Sequence, residues 1–144
     1  YWPSVVTSYT PVSSWVSNTT LTGTWQRIGG DLGRFNCQAA CSGAPTTAAL
    51  TFALPSGLTI NTSKLVSVGV EQTLGIGKVN DSNAALYAIV PRYNNSTSII
   101  CINLGATGTY VNEPGVTSES APITFGNGDF VNIEFTVPIT NWNA

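Results

Sequence analysis

Between residues 131 and 139, apolar and polar side chains alternate without a break. Val131, Ile133, Phe135, Val137 and Ile139 are interleaved with Asn132, Glu134, Thr136 and Pro138. A period of two puts one set on the core face of a β-strand and the other in water, and a helix cannot use it. The segment is therefore read as an antiparallel strand with one wet face. Shorter stretches repeat the pattern: Leu50, Phe52 and Leu54; Val66, Val68 and Val70; and Phe35, Cys37, Ala39 and Cys41 on one face of another candidate strand. Ser, Thr and Asn make up about a third of the chain, and the apolar positions favour Val, Ile and aromatics, types that suit a pleated, half-buried surface.

Turn residues separate these runs: Gly29-Gly30-Asp31, Ser42-Gly43-Ala44-Pro45, Pro55-Ser56-Gly57, Asn80-Asp81-Ser82-Asn83, Asn94-Asn95-Ser96 and Gly126-Asn127-Gly128-Asp129. Most tolerate positive φ or bond their own backbone. Short strands punctuated in this way predict an all-β chain, an antiparallel β-sandwich or jelly roll of seven or eight strands. Ala84–Pro91 and Thr97–Leu104 read as a hairpin with Arg92–Ser96 at its tip. Ile99-Ile100-Cys101-Ile102 is apolar on both faces, so it is expected either between two layers or against another subunit. Leu104–Ile123, rich in Gly, Pro, Ser and Thr, reads as a long loop with one short strand at Thr109–Val111.

With 144 residues the chain is long enough for one domain that buries roughly two-thirds of its unfolded surface. Charged residues are 8% and hydrophobic residues 42%, the opposite of a disordered composition. The five Lys and Arg are scattered and the net charge is −2, which argues against a nucleic-acid partner. There is no histidine, which removes Ser-His-Asp and Cys-His nucleophiles and HExxH zinc sites. Three cysteines cannot all pair, and Cys37 and Cys41 on one strand would stand about 13 Å apart. Buried reduced thiols, formed in a reducing cytoplasm, are the reading. No apolar run reaches the length of a membrane span, so no membrane insertion is expected, and no signal segment opens the chain. Without a methionine, Tyr1 is not expected to be a translation start, and the chain reads as a piece of something longer.

Three stretches occur in order: Trp25-Gln26-Arg27-Ile28-Gly29; Phe52-Ala53-Leu54-Pro55-Ser56-Gly57-Leu58-Thr59-Ile60; and Val137-Pro138-Ile139-Thr140-Asn141-Trp142. From about Thr20 onward, this set resembles the C-terminal domains of bacteriophage tail fibres and tailspikes. The resemblance implies a β-sandwich tip domain over residues 20–144. It also implies an N-terminal segment, 1–19, packed on an upstream shaft or a neighbouring subunit. A homotrimer follows, placed in the virion at the distal tip of the fibre and made in the host cytoplasm. Its expected task is host attachment through a bacterial surface saccharide or lipopolysaccharide, trimer closure, or both. The sequence departs from the pattern at Gly30, which stands where an acid would follow the glycine directly, so the turn and any role of Asp31 are open.

An enzyme acting on polysaccharide would need paired carboxylates. Asp31, Asp81 and Asp129 lie in turn contexts where Asp ordinarily bonds the backbone, and Glu134 points outward from its strand. The expectation is therefore a non-enzymatic chain with no cofactor and no metal. A sugar offers an apolar C–H face to an exposed ring and hydroxyls to polar neighbours. Arg92, Tyr93, Asn94 and Asn95 combine these at one tip, and Tyr110 lies in the long loop; these five are the candidate ligand-binding residues. The structural alternative is that Tyr87 packs in a core face and Tyr93 covers a hairpin end. Trp2 and Trp15 are expected to seat against a shaft or neighbouring subunit, and Trp25 and Trp142 to be structural. Asn-x-Ser/Thr triplets at Asn18, Asn61, Asn80, Asn94 and Asn95 are explained by composition and should be bare of glycan.

Overall fold

The computed structural model describes residues 5–82, 84–140 and 142. Trp2, Asn83 and Asn141, named above, lie outside the described residues. Nine strands form: β1 (Thr7–Tyr9), β2 (Thr19–Arg27), β3 (Leu32–Cys41), β4 (Thr51–Ala53), β5 (Gly75–Asn80), β6 (Leu86–Asn95), β7 (Ser98–Thr107), β8 (Tyr110–Val116) and β9 (Phe130–Pro138). One 3₁₀ turn covers Thr62–Lys64, where Asn61 caps the start through a side-chain bond to the Ser63 amide. All pairings are antiparallel, in the order β1-β2-β3-β9-β5-β6-β7-β4, and β8 pairs with β7.

The alternating segment 131–139 becomes β9, which sits in the middle of the sheet between β3 and β5. Its inward side chains Val131, Ile133, Phe135 and Val137 are all buried. Across the β3 boundary, Phe135 pairs with Phe35 with ring centroids 5.0 Å apart, an offset stack. Cys37 faces Ile133, and Ala39 faces Val131. On its other side β9 meets Gly75 opposite Phe135 and Gly77 opposite Ile133. The small residues are required here, since a Cβ on Gly75 would lie 1.9 Å from the Glu134 carbonyl oxygen.

The sheet folds back so that its two ends meet over one core. The Ala53 amide of β4 donates to Val12 O at 2.8 Å, Ser13 bridges to Phe52, and Tyr9 Oη of β1 donates to Ala53 O at 3.1 Å. An antiparallel sheet that covers both sides of its own core in this way is consistent with a β-sandwich. Trp15, expected to seat against a neighbouring chain, is instead fully buried in this core. It packs edge-on against Phe125 at 4.8 Å and donates from Nε1 to Ala48 O at 3.0 Å. Ser13 and Trp15 of this N-terminal segment are thus buried with the rest of the chain, while Val5, Val6, Val12 and Val16 stay exposed.

Three other expectations are corrected. Val66, Val68 and Val70 alternate but form no strand; they lie exposed in the irregular segment between the 3₁₀ turn and β5. Alternation reports a two-faced element only where something covers one face. Conversely, most of Leu104–Ile123 is not loop, because β7 runs on to Thr107 and β8 follows. Every β8 residue is exposed, so no core imposes a period on it. The hairpin tip is also shorter than Arg92–Ser96, since β6 continues through Asn95. The doubly apolar strand takes the first of its two expected places: Ile99, Cys101 and Ile102 are buried within the chain, and no second subunit is needed to cover them. The three cysteines are free and buried, as expected of small hydrophobes.

Candidate binding face

The outward side chains of the sheet fall into cross-strand rows fixed by register. Thr22 of β2, Gln38 of β3, Asn132 of β9, Lys78 of β5 and Ala88 of β6 stand in one row. The neighbouring row holds Thr24, Asn36, Glu134 and Ile76. Four strand spacings make the first row about 19 Å long. These residues line an open groove of about 1160 Å³, bordered by Ser8 and Thr10 at the β1 side and by Leu104 of β7 at the other.

The groove has two chemical halves. Over β2, β3 and β9 it presents hydroxyls and amides, which both donate and accept hydrogen bonds. Over β5 and β6 it presents mainly aliphatic surface, broken by Lys78 and Asn80 of β5: Ile76 is 70% exposed, Leu86 is 62% exposed, and Ala88 and Val90 lie beside them. Glu134 is the one acid among the described lining residues, and Arg34 Nε lies 3.4 Å from its Oε1. Below the groove floor Tyr9 Oη contacts Cys37 Sγ at 3.1 Å. Burial raises both ionisations, and that of Cys37 is pushed up to about 12. The floor is uncharged near neutral pH.

The five residues expected from sequence to bind a ligand are not gathered in one place, and none of them lines this groove. Arg92 lies within β6, with Glu113 Oε1 of β8 at 3.9 Å. Tyr93 is partly buried against the core, as is Tyr87. Removing the Tyr93 ring would therefore open a gap in packing as well as change a surface. Asn94 and Asn95 fold onto their own hairpin: Asn94 Nδ2 donates to Ser98 Oγ at 2.8 Å, and Asn95 Oδ1 accepts from the Thr97 amide at 2.9 Å. Tyr110 is 79% exposed, but it stands at the far end of β7 from that tip. A ten-residue strand separates them by roughly 30 Å.

In the sequence, Asn132 and Glu134 read as outward residues of a solvated strand face. Their signal, a polar residue at every second position of a central strand, is the same whether the face is convex or concave. Of the carboxylates in turns, that of Asp129 bonds the backbone as its context suggested, whereas that of Asp31 is held by a side chain. Asp129 is buried and accepts from the Ser82 amide at 3.1 Å and the Gly126 amide at 2.8 Å. Asp31 takes Lys64 Nζ at 2.8 Å. Among the described residues no group of three or more His, Cys, Asp or Glu could hold a metal ion. Among the described residues no helix is long and apolar enough to cross a membrane. Compared with family models, curated proteins and solved structures, the chain matches none.

Proposed function

We propose that this chain is a non-enzymatic receptor-binding domain of the kind found at the C-terminal end of bacteriophage tail fibres and tailspikes. In this reading it is a jelly-roll-like β-sandwich that works as a homotrimer in the virion. It joins an upstream shaft and holds a bacterial surface saccharide or lipopolysaccharide during attachment.

The observation that carries the reading is the two-sided groove. Its amide and hydroxyl rows suit the hydroxyl edge of a sugar, and Ile76, Leu86 and Ala88 suit its C–H face. The groove is long enough for a short oligosaccharide rather than a single ring. Its sole described acid is held by Arg34, an arrangement for holding a ligand rather than for the paired-carboxylate work of a glycosidase. The residues behind the tail-fibre resemblance lie elsewhere, since Trp25, Arg27 and Trp142 do not line the groove. A threefold assembly would turn three weak contacts into firm attachment, a gain of about 10²–10⁴ from effective concentration.

A second reading is a cap that only registers and locks three chains. Val5, Val6, Val12 and Val16 favour it, being large apolar side chains left open on the N-terminal segment. One experiment separates the two: a bacterial glycan array and host lipopolysaccharide probed with the domain, with its mass in solution measured by sedimentation. A saccharide-specific signal from a trimer supports the receptor-binding reading. A trimer that binds no glycan supports the cap, and a monomer at micromolar concentration sinks the trimer in both.

A further inference from the structure

From the pattern of charge pairing we infer that the saccharide held in the groove is anionic, and that Lys78 is the residue that takes its negative group. The inference rests on the groove being the saccharide site.

The chain has five cations, and four are engaged. Arg27 donates to Gly30 O from Nε at 3.0 Å and Nη2 at 2.6 Å, and its guanidinium lies over the Trp142 ring. Arg34 is paired with Glu134, Lys64 with Asp31 and Arg92 with Glu113. Lys78 alone has no acidic or hydrogen-bonding partner among the described residues. Yet it stands inside the groove, one strand from its centre, with Asn132 beside it on β9 and Ala88 beside it on β6. The nearest acid by register is Glu134, diagonal to Lys78 across β5 and β9, and it is committed to Arg34 on the far side. Because the Arg34–Glu134 pair cancels, the groove is left with one net positive charge.

Position decides what that charge can do. Lys78 stands where the amide half meets the aliphatic half, so an anion on its ammonium leaves the same sugar ring with amides on one side and aliphatic surface on the other. Ala88 opposite Lys78 is small and leaves the ammonium open to the groove. A lysine is a point charge on a flexible stem and does not demand the planar geometry of a carboxylate, so a sugar carboxylate and a sugar phosphate are both accommodated. Both belong to one chemical class, the acidic bacterial saccharides.

The test uses the whole chain on an array of bacterial surface polysaccharides, both neutral and acidic. Each acidic sample is also presented after carboxyl reduction and after phosphatase treatment. The expected result is that acidic samples bind, and that one of the two treatments removes the signal and so identifies the source of charge. Binding should weaken several-fold between about 50 and 300 mM salt, as an exposed ion pair does. Lys78→Gln should weaken it about tenfold with an unchanged melting temperature, and Lys78→Arg should restore most of it. If neutral and reduced samples bind as well as acidic ones, or Lys78→Gln binds like wild type, the anionic assignment falls. Asn132→Ala, at the neighbouring position in the same row, tests the groove itself. If an acidic glycan binds and Asn132→Ala and Lys78→Gln both leave it untouched, the site is elsewhere and the groove reading falls too. If no sample binds, both fall.

Discussion

The indole of Trp142 lies flat on that of Trp25, with ring centroids 5.6 Å apart and planes 20° from parallel. Trp142 Nε1 donates to the Asp31 carbonyl at 3.0 Å, which also accepts from the Ile139 amide at 2.8 Å. Arg27 lies over the same ring, 5.3 Å from its centroid. Two stretches more than a hundred residues apart thus form one lock between the end of β9 and the β2–β3 turn. Arg27 holds this turn through the backbone carbonyl of Gly30, a contact that does not depend on the residue being glycine.

Trp142→Ala should therefore cost about 3–4 kcal/mol, the value for emptying a buried aromatic site. Trp142→Phe keeps a ring on Trp25 but loses the bond to Asp31 O and part of the indole packing, about 1–2 kcal/mol. Urea unfolding of the two variants checks the order; equal losses would mean that the stack carries nothing beyond the hydrogen bond.

Gly75→Ala should destabilise by more than about 3 kcal/mol or prevent folding, because the new methyl meets backbone that cannot move without parting β5 from β9. Gly30→Ala is the matched control: nothing lies within 4 Å of its Cβ, and its backbone is not in the left-handed region, so the change should be within about 0.5 kcal/mol. Thermal melts of both variants test whether the close β5–β9 approach, which also sets the groove floor, depends on that missing side chain.

The Lys64 ammonium beside Asp31, by hydrogen bond and charge, holds that carboxyl below the ordinary aspartate value. A folded-state value lowered in this way adds stability above the unfolded aspartate range, and the contribution is lost as pH falls through the lowered value. Melting temperatures of wild type and Asp31→Asn, followed from neutral pH downward, should differ at neutral pH and converge in acid. Curves that stay parallel would show that the pair contributes nothing. Both partners are more than half exposed, so added salt should narrow the difference.

Burial raises all three thiols, Cys37 to about 12 and Cys41 to about 11, with the Asp129 charge adding to the latter and Cys101 higher still. At about pH 8 even Cys41 is thiolate only on the order of once in a thousand molecules, so a disulfide reagent should titrate the thiols only on unfolding. The sign of the pH effect follows. Unfolded thiols ionise near 9 and folded ones do not, so stability is complete below that value and declines as pH rises through 11 and 12. Prompt labelling of the folded protein, or an unchanged melting temperature from about pH 8 to 10.5, would contradict the sealed core.

The sequence alone makes legible some of the strands that have one wet and one dry face. β9, β3 and β4 were legible because burial on one side writes a period of two into Val131–Val137, Phe35–Cys41 and Leu50–Leu54. It determined the free thiols and the backbone-bonding role of Asp129 for the same local reason. β8 left no such trace, since a strand exposed along its whole length has no face for hydrophobicity to mark, and the valines at 66, 68 and 70 left a false one. Tertiary structure was needed to put Trp15 inside, to set Tyr93 and Tyr110 against opposite ends of β7, and to bring the wet faces of β2, β3, β9, β5 and β6 into a groove. Alternation says which side of a strand is wet. Whether that side is hollow depends on how neighbouring strands are ordered and how the sheet turns back on itself, and these pairings are long-range, between residues that no local pattern connects.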